Sequence, residues 1–347
     1  MSRGTRFLAG RIGQSLLVIA LTYVFVYFIL FALPGDPIGS RINNPLNPIP
    51  EDQAEAISAY YNLDRSALVQ FGISVGRLLQ GDLGFSLATG RPVAELISQG
   101  LGETVTLAAL SLVLALVLSL AIAATAVLAP WAPLRRLAAA FPVLSLSTPS
   151  FLAGLILLQV FAYQLGWFSS IRDEGLKSLL LPAATLAFGV SAPITQVLIR
   201  GLRSAYGEPF VTVLRAKGVS EARIFSSHVL RNASIPALTL FGLTVGELLA
   251  GSVIAEAVFN RSGLGFVTEQ AVRAQDGPVV QAVVMLVAIV FTTVNLITDL
   301  LYPVIDPRMP GRRRTRSAVS GLPQTSPAVP VSAATASPTT PTEVLVR

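Results

Sequence analysis

The polar residues best placed for chemistry lie in residues 214–236, LRAKGVSEARIFSSHVLRNASIP. This segment holds one of the chain's two lysines, three of its arginines and its only histidine, His228. With one histidine and no cysteine, the sequence excludes a histidine cluster, a thiolate metal site and a cysteine nucleophile. Neither Lys177 nor Lys217 stands in the Gly-Lys-Ser/Thr context of a phosphate-binding P-loop. We therefore expect no catalytic site, metal site or bound cofactor, and we expect His228 at the surface.

The same segment predicts two short helices joined by a fixed turn. Gly218 can adopt the left-handed conformation that ends the first helix, with Arg215 and Lys217 in its last turn. Ser220 can cap the second helix, whose first turn then contains Glu221. The two helices have apolar edges, formed by Val211, Leu214, Ile224, Phe225 and Val229. Such edges favour docking against another protein, and a solvated basic loop is the alternative.

Glu247 is the one acidic residue well inside an apolar stretch, residues 232–255. A charged side chain at membrane depth costs about 2.5–3.5 kcal/mol and tends to face a bundle interior or a watery cavity. Glu247 either lines a translocation path or bonds to a neighbouring helix. We expect Glu256, near the outer end of this stretch, to be interfacial. A set of small residues at helical spacing favours close helix packing and comprises Gly242, Gly246 and Ala250.

The composition indicates a membrane protein. The chain has 347 residues, of which 52% are hydrophobic and 13% charged, and its mean hydropathy is +0.66. Soluble domains carry about a quarter charged residues, so lipid is the expected solvent. The net charge of +6 is explained by basic loops on a membrane protein. No basic stripe is interleaved with aromatic residues, so no nucleic-acid partner is expected.

Six apolar stretches are long enough to cross a bilayer, which takes about 20 residues. They are residues 12–35, 104–134, 137–171, 178–199, 232–255 and 277–298. With the N-terminus inside, 17 of the 25 basic residues fall on inner segments and eight on outer ones. We therefore predict an all-α, polytopic membrane protein with six transmembrane helices and both termini cytoplasmic. Residues 208–231 then lie on the cytoplasmic face.

Three regions follow along the chain. Residues 1–102 contain the first span and a long external segment, in which we expect two short amphipathic helices between Pro50 and Gly84. Residues 103–303 hold the other five spans and their loops. Residues 304–347 are rich in proline, serine and threonine, and we expect a mostly disordered cytoplasmic tail.

In this setting, residues 214–236 resemble the cytoplasmic coupling loop of binding-protein-dependent ABC importer permeases, in the branch that transports dipeptides, oligopeptides and nickel. The resemblance rests on Ala-Lys-Gly and on the proline that opens the next span. Further blocks in the same order are FALPGDPIG, GDLGFSLATGRPVAELI, EAVFNRSGLGFVTEQAVRAQDGPVVQAVV and NLITDLLYPVIDPR. The general importer motif begins Glu-Ala-Ala six residues before the glycine, where this chain has Thr212, Val213 and Leu214.

The resemblance implies the transmembrane domain of a type I ABC importer, a non-catalytic subunit in the bacterial inner membrane. ATP and Mg²⁺ would be bound by separate cytoplasmic ATPase subunits. The other implied partners are a homologous second permease and an extracytoplasmic solute-binding protein. Residues 208–231 would transmit force to the paired bundles, which open alternately to each side. The implied contact residues are Leu214, Arg215, Ala216, Lys217, Gly218, Val219, Ser220 and Phe225.

The transported solute is the most open part of the interpretation. The resemblance implies dipeptides or oligopeptides, with nickel or another small solute as alternatives within the same branch. A different class is an ion-coupled secondary transporter that uses Glu247 as a proton site, but it leaves the basic, capped segment unexplained. A membrane scaffold without a transport path would place Glu247 against protein.

Overall fold

The computed structural model describes residues 3–32, 50–62, 64–169 and 174–305, and helices dominate these ranges. The β pairing found in them is an isolated bridge between Phe85 and Pro92. The prediction of an all-α protein is therefore confirmed for this part of the chain. The block FALPGDPIG and residues 306–347, which include most of the predicted tail, lie almost entirely outside the described residues.

The helices are α1 (Arg3–Tyr27), α2 (Glu51–Tyr61), α3 (Ala67–Leu79), α4 (Val93–Leu128), α5 (Ala132–Ser147), α6 (Ser150–Leu157), α7 (Leu176–Tyr206), α8 (Pro209–Ala216), α9 (Glu221–Arg223), α10 (Leu230–Val258), α11 (Leu264–Arg273) and α12 (Gly277–Ile305). Wider π-helical turns directly continue α1, α6 and α9, over Phe28–Ala32, Leu158–Gln164 and Ile224–Val229.

Within the described residues, four helices are long and apolar enough to cross a membrane. They are α1 with the start of its π-helical turn, over Ala9–Leu30, then α4, α7, and α12 over Gly277–Leu300. The pair α5 and α6 adds a fifth candidate if it is counted as one span. Helix α10 covers the predicted stretch 232–255 but is not among these candidates. The prediction of six spans is therefore not confirmed by these helices alone.

The apolar stretch 137–171, predicted as one span, is divided between two helices. α5 ends at Ser147, and α6 starts at Ser150 with its axis bent by 108°. Between them Thr148 is extended, with φ −101° and ψ 119°. The ring of Pro149 clashes with a helical conformation of the preceding residue, which explains why the helix ends there.

Helix α7 is the most enclosed of the candidate spans and packs mainly against α4 and α10. The contact with α4 uses mostly small side chains at four-residue spacing, which allow the two backbones to approach. These buried positions of α4 are Leu107, Ser111, Ala115, Ser119 and Ala123. Ser119 Oγ donates a hydrogen bond to the carbonyl oxygen of Ser191 at 3.1 Å. The core of the molecule is therefore a tightly packed set of α4, α7 and α10.

The two short helices predicted between Pro50 and Gly84 are present as α2 and α3. Pro50 directly precedes α2, and Gly81 and Gly84 follow α3 with a positive φ of 81° each. Asp276, just before α12, attaches the loop between α3 and α4 to the bundle. Its buried carboxylate accepts hydrogen bonds from Ser86 Oγ at 2.5 Å and from the N–H groups of Leu87 and Ala88 at 3.1 and 3.2 Å.

Candidate functional site

The turn predicted at Gly218 is present. Gly218 has φ +75° and ends α8. The N–H of Gly218 donates to the carbonyl oxygen of Arg215 at 2.9 Å, and that of Val219 to Leu214 at 3.1 Å. Ser220 occupies the N-cap position of α9, but its side chain makes no capping hydrogen bond, so this detail of the prediction is wrong. The turn is thus held by backbone bonds.

The second predicted helix is not a separate element. α9 runs through the π-helical turn Ile224–Val229 directly into α10. Residues 221–235 contain neither glycine nor proline, so the sequence offers no residue that ends a helix there. The segment between α7 and α10 is therefore one short helix, one tight turn and the first turns of a long helix.

The apolar edges of this segment pack against the chain itself. Val211, Ile224 and Val229 are completely buried in a cluster with residues of α4, α5, α7 and α10. Leu214 and Phe225 are half-buried against the same cluster. The expectation that these side chains are free to insert into a partner is therefore wrong for this conformation. They anchor the segment to the bundle.

The exposed surface of the segment includes its turn. Val213 is 51% exposed and lies outside the contact residues that the resemblance implies, which begin at Leu214. Arg215 Nε lies 2.5 Å from Glu221 Oε1, and Arg215 Nη2 lies 3.2 Å from Glu221 Oε2. This exposed pair joins α8 to α9, and the hydrogen bond from Arg215 lowers the pKa of Glu221. The predicted contact residues exposed here are Arg215, Ala216, Lys217, Gly218 and Ser220, whereas Val219 is half-buried; His228 is exposed as predicted.

Glu247 lies on an exposed stripe of α10. The stripe follows helical spacing and comprises Leu243, Glu247, Ala250, Ile254 and Ala257. Among the described residues, Glu247 has neither a hydrogen-bond nor an ion-pair partner. The interpretation of Glu247 as a residue bonded to a neighbouring helix of the same chain is therefore not supported here.

The small residues near Glu247 divide between two faces of α10. A Cβ atom on Gly242 would lie 2.4 Å from Asn295 Oδ1, and one on Gly246 would lie 2.6 Å from the Phe291 ring. Both glycines therefore allow α12 to pack closely, as predicted. Ala250 is exposed on the same side as Glu247, so its assignment to the packing face is wrong.

Glu256 is completely buried, so the expectation that it is interfacial is wrong. Its carboxyl group accepts hydrogen bonds from Thr104 Oγ1 at 2.6 Å and from the N–H groups of Gly265 and Phe266 at 2.6 and 3.2 Å. It therefore caps the N-terminus of α11. The feature of the sequence that indicates this burial is Gly263-Leu264-Gly265. Glycine is needed at position 263 because a Cβ atom there would lie 2.3 Å from the carboxyl oxygen Oε1 of Glu256.

The chain matches known proteins over most of its length. Residues 121–310 match the family model described as the binding-protein-dependent transport system inner membrane component. The glutathione transport system permease protein GsiC of Salmonella paratyphi A is 36% identical over 309 residues, which cover 86% of this chain and 96% of that protein. GsiC of Escherichia coli K12 is 34% identical over 305 residues with the same two coverages. A solved amino acid ABC transporter gives a TM-score of 0.45 and 18% identity over 62% of this chain and 95% of that chain.

These similarities identify the class of protein. The family model spans more than half of the chain, and the curated relatives span nearly all of their own length. The chain therefore belongs to the inner membrane components of binding-protein-dependent transport systems. It is a multi-pass permease of a bacterial ABC importer in the inner membrane, as the sequence resemblance predicted, and this class is non-catalytic. An ion-coupled secondary transporter is not favoured.

Proposed function

We propose that this permease imports short peptides, together with a second permease and an extracytoplasmic solute-binding protein. Separate cytoplasmic subunits bind ATP and Mg²⁺ and supply the energy. The support for a peptide substrate is the similarity to permeases named for glutathione transport, since glutathione is a tripeptide. The test is uptake of labelled glutathione, dialanine and nickel by cells with and without this gene. Loss of nickel uptake alone would contradict the peptide assignment.

We further propose that residues 208–231 are the contact for an ATPase subunit. The observation that supports this is that the segment has buried residues that attach it to the bundle and an exposed turn between its helices. Val211, Ile224 and Val229 fix the segment in the bundle, while the turn from Val213 to Ser220 is largely exposed. A force applied to this turn reaches α10 directly, because α9 continues through Ile224–Val229 into α10, and it reaches α7 through Gly207 and Glu208, which join α7 to α8.

Co-purification of the ATPase subunits tests this contact. Val213→Asp adds a carboxylate to the exposed turn. A docked ATPase subunit would bury this carboxylate without an ion-pair or hydrogen-bond partner, which is costly. We expect the variant to reach the membrane normally and to lose most of its bound ATPase. Val272→Asp in α11 is the matched control, because Val272 is similarly exposed, at 59%. Equal ATPase recovery from both variants would contradict the proposal.

The stripe that carries Glu247 is proposed to face the translocation path and the second permease. A carboxyl group exposed to lipid is costly at membrane depth. Glu247 is exposed in the single chain and has no partner among the described residues. Water in a path, or a polar group of the second permease, would solvate it. Close packing of Gly242 and Gly246 against α12 supports this orientation, because it turns the stripe away from that helix.

We also propose six membrane spans with both termini cytoplasmic. The bent pair α5 and α6 would count as one span, and α10 would complete the six. The support for α10 is its connection to α7, a candidate span that ends at the same segment. The proposed regions remain residues 1–102, 103–303 and 304–347.

A further inference from the structure

A small cavity lies at the end of the bundle opposite residues 208–231. It has a volume of about 70 Å³ and lies between α1, α2, α3 and the first turns of α12. Its lining includes Tyr23, Tyr60, Tyr61, Arg77, Asp82 and Gln281. None of these residues belongs to the Glu247 stripe or to residues 208–231. The cavity is therefore distinct from the site already described.

Most polar groups around the cavity already have partners. Tyr60 Oη donates to Asp82 Oδ2 at 2.7 Å, and the N–H of Gly84 donates to Asp82 Oδ1 at 2.9 Å. Tyr61 Oη donates to the carbonyl oxygen of Phe85 at 2.9 Å. Tyr23 Oη lies 2.5 Å from Ser74 Oγ. Burial, followed by the hydrogen bond to Asp82, raises the pKa of Tyr60 to about 12, so its hydroxyl stays a donor. These bonds form a fixed aromatic wall.

Two side chains that line the cavity, Arg77 and Gln281, have N–H groups that can donate further hydrogen bonds. The guanidinium carbon of Arg77 lies 3.9 Å from the Tyr60 ring centroid, and Nη1 donates to the Tyr60 carbonyl oxygen at 2.5 Å. Among the described residues, no carboxylate forms an ion pair with Arg77; Asp82 also lines the cavity, but its two oxygens accept hydrogen bonds from Tyr60 and Gly84. Gln281 is 8% exposed, and its buried amide Nε2 forms no hydrogen bond among the described residues, although the Tyr23 hydroxyl lies close to this side chain.

We propose that this cavity binds a carboxylate group. An arginine carries five N–H donors and pairs readily with a carboxylate, and a buried amide donor loses stability until it meets an acceptor. The cavity has room for a few water molecules, which a carboxylate would displace. The carboxylate could belong to a free peptide-like solute or to an acidic side chain of the solute-binding protein. The proposal does not depend on which solute is transported, and binding can be measured without transport.

The first experiment measures binding of dialanine and of its C-terminal amide to the purified transporter complex in nanodiscs. We expect the free acid to bind about tenfold or more tightly than the amide, because a charge-assisted bond is lost in the latter. Arg77→Gln and Gln281→Leu should each remove this preference. Arg65→Gln is the matched control, since Arg65 is an exposed arginine of the same external segment and does not line the cavity. This result would identify a free solute as the source of the carboxylate.

The second experiment measures binding of the solute-binding protein to the same complexes. If dialanine does not bind, we expect Arg77→Gln and Gln281→Leu to weaken this association about tenfold, and Arg65→Gln to leave it unchanged. That result would assign the carboxylate to the partner protein. Thermal unfolding of each variant separates loss of binding from loss of folding, and Gln281→Met replaces Gln281→Leu if the latter unfolds. If neither dialanine nor the binding protein distinguishes the variants from the control, the cavity holds only water and the proposal is wrong.

Discussion

Thr104 Oγ1 in α4 donates a hydrogen bond to Glu256 Oε1 in α10 at 2.6 Å, although 152 positions separate the two residues. The same hydroxyl oxygen accepts the N–H of Leu264 at 2.7 Å. The carboxyl group of Glu256 accepts two further N–H groups at the start of α11. One buried pair therefore holds the start of α4 and the end of α10 together and satisfies the first N–H groups of α11.

Thr104→Val should destabilise the permease while preserving its shape. The substitution removes the donor to Glu256 and the acceptor for Leu264, which costs about 1–3 kcal/mol when buried groups lose their partners. We expect a lower apparent Tm of the purified complex. Thr106→Val is the control, because Thr106 is exposed and bonds within its own helix turn, to the carbonyl oxygen of Gly102. An identical Tm for both variants would show that the Thr104–Glu256 hydrogen bond contributes little to the stability of the permease.

Gly218→Val should weaken binding of the ATPase subunits to the permease. A Cβ atom on Gly218 meets nothing within 4 Å, so the cost comes from the positive φ of 75° alone. A β-branched residue in this conformation is strained by about 1–3 kcal/mol. Gly218→Asn is the control, since asparagine tolerates left-handed backbone. Co-purification of ATPase subunits should fall for valine and persist for asparagine, and equal recovery would contradict the proposed role of the turn.

Glu247→Gln should change uptake without reducing the amount of protein in the membrane. The exposed carboxyl group has no partner in the described residues, so its replacement breaks no internal bond. We expect a changed rate or substrate preference when uptake and membrane yield are measured together. Glu55→Gln, at an exposed position of α2, should leave both unchanged. Parallel loss of yield and uptake for Glu247→Gln would indicate a structural role instead.

The Arg215–Glu221 pair should make the turn weakly pH-dependent. Because the pKa of Glu221 is lowered from 4.5 in the folded protein, its contribution is complete above pH 4.5 and is lost as the pH falls through the lowered value. Hydrogen exchange of residues 214–224, corrected for the intrinsic effect of pH, should rise about fivefold or less over this range because the pair is exposed. Glu221→Gln should abolish this rise, and its persistence in the variant would assign the effect to another group.

The orientation can be checked with reporter fusions. A reporter after Leu214 should read cytoplasmic, and one after Gln70 should read external, because arginine and lysine concentrate on the inner segments. The opposite pattern would exclude the proposed cytoplasmic contact at residues 208–231.

Much of the local structure could be predicted because it depends on neighbours in the chain. Gly218 adopts a positive φ because the residues around it form a helix that must end. Gly242 and Gly246 pack against α12 because helical spacing places both on one face. The break in the predicted stretch 137–171 also has a local cause, because Pro149 disfavours a helical conformation of Thr148.

By itself, the sequence determined the all-α class, the apolar stretches, the turn at Gly218 and the membership of a permease family. Only the tertiary structure decided which side chains are enclosed. Glu256 is buried because Thr104 and the start of α11 supply its hydrogen bonds. Leu214 and Phe225 face inward because α4, α5, α7 and α10 together form the cluster that they cover. Burial depends on contacts between distant segments, and an apolar or acidic residue has the same identity in the sequence whether its partner is its own chain, another subunit or water.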